Sequence, residues 1–300
     1  MAAGLGAGAL WGLVFVAPRM VGHFAMVDIT AARFLVFGAV SGLAVFARPA
    51  ASRWPSRQQA LAALGLSVLG FSGYYLLLAF GIKAAGTEVP SLIIGTIPIW
   101  MMLLGRPADL RMRTLLPGLL LTGAGIALMV YGAWSAQQGT GTGTGNGGGA
   151  RFGWGIALAL AAMVSWTVYG LLNAAWLQRH TELNATDWAN WLGVVTGLGA
   201  LLLWAVAGSD VATLRSRPDG TLFIAVALAS GAGSAWLATI LWNIASQRLS
   251  ASLCGQLIVS ETLFALLYSF AWDGRWPHAT EWLAALLFVL GILASIKAHR

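Results

Sequence analysis

Apolar residues run along this chain in ten long blocks, at about 3–21, 29–47, 58–82, 88–104, 114–134, 152–177, 187–207, 221–247, 250–272 and 281–298. Short polar or basic breaks separate them. Each block is continuous and rich in Leu, Ala and Gly, without the alternation of period two that a membrane barrel strand needs. About 20 helical residues cross roughly 30 Å of hydrocarbon, so blocks of this length predict transmembrane helices. The expected fold class is an all-α integral membrane protein with ten such helices.

One break is unlike the rest. Between blocks five and six lies GTGTGTGNGGG, residues 139–149, whose composition predicts a flexible linker with no core to bury. The chain then divides into a five-helix unit over 1–134, a Gly/Thr linker over 135–151 and a second five-helix unit over 152–300. Laying 69–92 on 230–253 without gaps pairs Gly70 with Gly231, Tyr75 with Trp236, Ala84 with Ala245 and Ser91-Leu92 with Ser252-Leu253. Trp11 in block one likewise faces Trp166 in block six. Two five-helix units enter a membrane in opposite senses, which predicts two inverted repeats around a central cavity.

Charge supports the membrane assignment and orients it. Only 9% of the residues are charged and 58% are hydrophobic, whereas soluble domains carry about 25% charged residues. The net charge of +7 predicts no nucleic-acid partner, because the basic residues sit singly or in threes between apolar blocks. Arg48, Arg53 and Arg57 follow block two, and Arg106, Arg111 and Arg113 follow block four. The breaks after blocks one and three hold only Lys83 between them. Basic loops stay inside, so the N-terminus is expected in the cytoplasm, and an even helix count returns Lys297 and Arg300 to the same side. In the second half Arg215, Arg217 and Arg275 would lie outside against Arg179 and Arg248 inside, so the first half decides. The expected location is the inner membrane, multi-pass, with no cleavable signal peptide. Cys254 is a single cysteine in an apolar run, which leaves no internal disulfide and no thiolate metal site. No cofactor or metal pattern and no nucleotide-binding motif is present.

Small residues and prolines set the packing. Gly4, Gly8 and Gly12 form a doubled GxxxG, and Gly38/Gly42 and Gly193/Gly197 repeat the spacing, which lets helix backbones approach closely. Such faces fit dimer contacts and packing within one monomer equally, so the oligomeric state stays open. Pro18, Pro90 and Pro98 each remove a backbone donor and can bend a helix, around a cavity or simply within a bundle.

The chemistry centres on residues 252–268, SLCGQLIVSETLFALLY, where Gln256, Ser260 and Glu261 interrupt an apolar run. A carboxylate in hydrocarbon is costly, so Glu261 is expected to face protein interior or a watery cavity. It is either a hydrogen-bonded structural group or a substrate and proton-coupling residue. Trp166, Tyr169, Asn173 and Trp176 share one helical face, and Trp236, Thr239, Asn243 and Gln247 share another. Trp54, Trp134, Trp154, Trp188, Trp191, Trp204, Trp272, Trp276 and Trp282 lie near block ends, where aromatic belts anchor helices. Trp11, Tyr74, Tyr75, Trp100, Trp166, Tyr169 and Trp236 lie deeper and, with Asn243, Gln256 and Glu261, make up the expected lining. Arg33 and Arg19 could pair with Glu261 or a substrate carboxylate, but their long stems are expected to carry the charge to the interface.

An enzyme is not expected. Gly70-Phe71-Ser72-Gly73 matches the nucleophile motif of rhomboid proteases, but His23, His180, His278 and His299 all fall in breaks or at block ends, away from a base's place. Ten short helices in two halves, the run ALWGLVFVAPR at 9–19 and the run TIPIW at 96–100 resemble the EamA branch of the drug/metabolite transporter superfamily. The resemblance covers nearly the whole chain and implies a basket of ten helices, with the fifth and tenth peripheral, working by alternating access. Typical members carry a proline in the ninth helix; here QLIVSETLF at 256–264 has none, and Glu261 stands in that neighbourhood. That departure and the many aromatics resemble the YddG-type exporters of aromatic amino acids. The resemblance implies a small-molecule substrate, an aromatic or hydrophobic amino acid, moved out across the inner membrane. The alternatives are a cationic drug exporter and a non-transporting intramembrane scaffold or enzyme.

Overall fold

A computed structural model describes residues 1–48, 54–85, 90, 93–138, 149–274 and 276–299. Arg53, Ser91, Leu92, Arg275, Arg300 and most of the Gly/Thr linker lie outside the described residues. Every described element is helical. In order they are α1 (Ala2–Gly12), α2 (Ala17–Met20), α3 (Met26–Phe46), α4 (Arg57–Ala85), α5 (Ile97–Leu104) and α6 (Met112–Gln138). The second half holds α7 (Gly149–Arg179), α8 (Ala185–Ala207), α9 (Val211–Ser216), α10 (Gly220–Arg248), α11 (Ala251–Asp273) and α12 (Ala279–Ala298). Among the described residues eight helices are long and apolar enough to cross a membrane: α3, α4, α6, α7, α8, α10, α11 and α12. The ends of the expected linker are helical instead, because α6 runs on to Gln138 and α7 begins at Gly149.

Apolar blocks one and four are not single long helices. α1 passes through a tight turn at Leu13–Phe15 into α2, and in block four a turn at Gly95–Thr96 separates the helical residues 93–94 from a second helix that starts at Ile97. Pro98 stands in the first turn of α5, where a missing N–H costs nothing, so it starts a helix rather than bending one.

α4 and α10 each contain a widened π turn, at Val68–Ser72 and at Ser230–Leu237. Gly70 and Gly231 lie within these turns. A π turn displaces carbonyls from the ordinary helical ladder, and here they bond outward. The Ser165 hydroxyl of α7 donates to the Leu69 carbonyl at 2.7 Å, and the Arg33 guanidinium of α3 donates to the Ser234 carbonyl at 3.4 Å.

The helices pair closely: α3 with α8, α6 with α12, the second half of α4 with α7, α1 with α11 and α10, and α5 with α11. Glycines make two of these contacts possible. A Cβ on Gly8 would stand 2.1 Å from the Ser260 hydroxyl of α11, and one on Gly38 would stand 2.7 Å from the Gly197 Cα of α8. Gly42 has nothing within 4 Å, so its GxxxG spacing is not used.

One end of the bundle is sealed. The Ser252 amide donates to the Gly105 carbonyl at 3.1 Å, and its hydroxyl donates to the Met102 carbonyl at 3.0 Å. Gln178 donates to the Ser246 and Leu249 carbonyls, each at 2.9 Å, and Arg48 pairs with Asp187. Residues 252–260 of α11 are all buried there, whereas from Glu261 onward the described residues are half-buried or exposed.

Candidate functional site

Inside the bundle, aromatic rings from five helices form an unbroken chain. Trp11, Trp166 and Trp242, from α1, α7 and α10, make a triangle with centroid distances of 6.2, 5.5 and 6.0 Å. From Trp166 the chain continues to Tyr169 at 5.8 Å, Phe71 of α4 at 5.4 Å and Phe34 of α3 at 6.0 Å. It ends through Tyr75, 5.0 Å from Phe34, on Tyr74, 4.9 Å further. Tilted and edge-to-face pairs at these distances gain from ring quadrupoles as well as from burial.

Charge sits at the Tyr74 end. Arg33 is only 6% exposed, so its charge does not reach the interface as its stem would allow. Its Nη1 donates to the Tyr75 hydroxyl at 3.1 Å, and its guanidinium lies 5.3 and 5.6 Å from the centroids of Phe34 and Tyr75. Local bonding and cation–π contact therefore hold it inside. Glu261, half-buried on α11, lies within electrostatic reach of Arg33 and of Tyr74. Arg33 makes no ion pair among the described residues. Arg19 behaves as its long stem predicts: it is exposed and donates to Ser269 at 2.8 Å.

The ten expected lining residues separate into groups. Trp11, Tyr74, Tyr75, Trp166 and Tyr169 belong to the ring chain, and Glu261 is half-buried on α11 where Gly8 of α1 meets that helix. Trp236 packs against the same core and donates from its indole to Asn190 of α8 at 2.8 Å. Asn243 is fully buried, accepts from Asn173 at 3.0 Å and donates to the Ala185 carbonyl at 3.4 Å. Gln256 faces α6 and α12, donating to Thr122 at 3.0 Å and accepting from Ser295 at 3.1 Å. Trp100 is 43% exposed, with its indole donating to Thr96 on the next turn back at 3.2 Å, and takes no part in the ring chain.

One belt expectation differs as well. Trp188 is 1% exposed and donates to Asn173 at 2.8 Å, so a hydrogen-bond partner draws it into the core. Trp176, expected on the substrate stripe, stacks on Trp188 at 5.5 Å and on His180 at 3.9 Å. Trp54, Trp154, Trp272, Trp276 and Trp282 are exposed.

Sequence reasoning passed over Phe34, Phe71 and Trp242 and underrated Arg33. Trp242 lies next to Asn243 in sequence and flanks the polar stripe, about 100° around the helix from Asn243. Its depth within an apolar block was the available signal. Two grooves, of about 420 and 550 Å³, lie between α3 and α8 and between α4 and α7; none of the ten expected residues lines either.

Membrane-length helices wrapped around buried rings, a buried cation and a half-buried carboxylate define a helical membrane protein with a chemically mixed interior. The chain belongs to the EamA-like transporter family, which matches residues 1–131 and 153–296. It is thus a membrane transporter of the drug/metabolite type. It is 29% identical over 304 residues to the inner membrane protein YtfF of Escherichia coli strain K12, covering 97% of this chain and 93% of that protein. A crystal structure of a protein 21% identical superposes with a TM-score of 0.77, covering 100% of this chain and 96% of the other, a likeness of fold.

Proposed function

We propose that this chain is a secondary transporter that exports aromatic and other hydrophobic amino acids across the inner membrane by alternating access. The observation that carries the reading is the ring chain from Trp242 to Tyr74, with the buried Arg33 guanidinium against Phe34 and Tyr75 at one end. Apolar walls with a few oriented polar groups suit a solute that has an apolar side chain and a charged head. Trp11, Tyr74, Tyr75, Trp166, Tyr169, Trp236 and Glu261 are the proposed contacts, while Asn243 and Gln256 bond between helices and Trp100 stands at the surface.

The helix pairing supports two inverted five-helix repeats. An exchange of the halves would map α3–α8 and α6–α12 onto themselves and would exchange α4–α7 with α1–α10. The separate family matches on either side of the linker agree with that symmetry. Ala298, near the end of α12, packs with Met102 and Leu115 at the end where Arg48, Arg106, Arg179 and Arg248 gather, which supports cytoplasmic termini. The sealed bonds at that end and the looser burial beyond Glu261 support a conformation closed toward the cytoplasm.

Flux of labelled Phe, Trp, Met and a quaternary ammonium in proteoliposomes, with and without a pH gradient, tests the reading. Movement of Phe and Trp is expected. Movement of the cation alone would favour the cationic drug exporter, with Glu261 as its counter-ion, and would overturn amino-acid export. No flux of any solute would favour a scaffold or enzyme. Glu261→Gln should flatten the pH dependence of flux; an unchanged profile at normal turnover would remove Glu261 from coupling.

A further inference from the structure

Arg33 lies about 10 Å along α3 from Met26, well inside the apolar span. An ionised side chain at such depth normally pairs with an opposite charge or marks a pathway. Arg33 has no carboxylate partner among the described residues. Two of its contacts are hydrogen bonds, to the Tyr75 hydroxyl and the Ser234 carbonyl. A guanidinium has five N–H donors, so its capacity is largely unspent. Its Nε is buried with no hydrogen-bond partner, and so is the hydroxyl of Ser234, the residue whose carbonyl it already binds.

These unspent donors belong to one contact between α3 and the π turn of α10. A planar guanidinium fork with a neighbouring hydroxyl matches the two oxygens of a carboxylate. The rings of Phe34 and Tyr75 lie against the same guanidinium and begin the aromatic chain. Cation, rings and a free hydroxyl thus meet where α3, α4 and the π turn of α10 touch.

We infer that Arg33, with Ser234 and Tyr75, binds the carboxylate of the transported solute. The site therefore selects a carboxylate attached to an apolar or aromatic body, a description that α-amino acids with apolar side chains meet. This deepens the amino-acid reading and rests on it, and the ligand series below separates the two.

The test is flux of labelled L-phenylalanine and labelled 3-phenylpropanoate in proteoliposomes, with L-phenylalanine methyl ester and phenethylamine as competitors. Wild-type protein, Arg33→Lys, Arg33→Gln and Ser234→Ala are compared. In wild type the ester and amine should compete about 10- to 100-fold more weakly than phenylalanine, the worth of charge-assisted hydrogen bonds. Arg33→Gln should abolish that preference, and Arg33→Lys and Ser234→Ala should reduce it. The wild-type ligand series needs no variant, so a variant that fails to fold does not decide the matter. Phenylalanine flux with the ester competing equally, or with the preference intact in Arg33→Gln, would overturn the role of Arg33 and leave amino-acid export standing. Arg33-dependent flux of 3-phenylpropanoate without phenylalanine would support Arg33 and overturn amino-acid export. Flux of neither carboxylate would overturn both.

Discussion

The Tyr75 hydroxyl of α4 accepts a hydrogen bond from Arg33 of α3 over 3.1 Å, deep within the bundle. The ring beneath that hydroxyl also lies 5.6 Å from the guanidinium, so one side chain offers both an acceptor and a π face. Tyr75→Phe keeps the face and removes the acceptor. A buried donor left without its partner costs about 1 to 3 kcal/mol, and more when it is charged. A lowered midpoint of thermal unfolding in detergent is expected, measured by loss of the monodisperse peak. An unchanged midpoint would mean that water replaces the hydroxyl at no cost.

Gly8→Val should disrupt the fit of α1 on α11. Its Cβ would fall 2.1 Å from the Ser260 hydroxyl and 3.1 Å from the Glu261 backbone nitrogen, and a backbone cannot retreat as a flexible side chain can. Overpacking of this kind costs about 1 to 3 kcal/mol. A Cβ at Gly42 meets nothing within 4 Å, so Gly42→Ala should leave the unfolding midpoint where it is. Equal midpoints for the two variants would contradict the close approach.

Asn243→Leu removes one member of a buried series in which Trp188 donates to Asn173 and Asn173 donates to Asn243. Interhelical hydrogen bonds in membranes are worth about 1 kcal/mol each, so a modest loss of stability is expected. Relative rates for different amino acids should stay as in wild type. A changed order of substrates would return Asn243 to the solute path.

Trp166 joins the tryptophan triangle to Tyr169 and so stands where the ring chain branches. Trp166→Ala should weaken apparent affinity for Phe and Trp by roughly 3- to 10-fold, as expected for lost ring–ring contact. Ala and Thr should be affected much less. Competition assays against labelled Phe measure the difference; equal losses for every substrate would assign Trp166 to packing alone.

Asp210 caps α9 outside the membrane spans, accepting from the Thr213 amide at 2.6 Å. That backbone bond, with a lesser side-chain contribution from Thr213, holds its pKa below the ordinary carboxylate value. A depressed folded-state pKa places the stabilising effect above the unfolded value, and the effect is lost as pH falls through the folded one. Amide exchange over Val211–Ser216, corrected for intrinsic rates, should therefore be slow at neutral pH and faster in acid. Asp210→Ala should be fast at both; a wild-type segment indifferent to acid would contradict the cap.

Hydrophobic content and block length were sufficient for the membrane class, because the cost of exposing backbone to hydrocarbon acts on each segment separately. The ten apolar blocks, Gly8 and Gly38 as contact points, and depth for Trp11, Trp166, Tyr169 and Glu261 could all be read that way. Partnership could not. Whether Arg33 reached the interface or stayed inside depended on Tyr75, 42 residues away, and on a carbonyl 201 residues away that a π turn displaced. Gln256 and Glu261 are five residues apart on one helix, yet one bonds to α6 and α12 and the other feels the charge of α3. A helical period says which residues share a face, but only the packing of the neighbouring helices decides what each face meets. The stretch around Glu261 was thus recognisable from its sequence as a costly interruption, and the fold alone supplied the buried cation that gives that interruption a chemical counterpart.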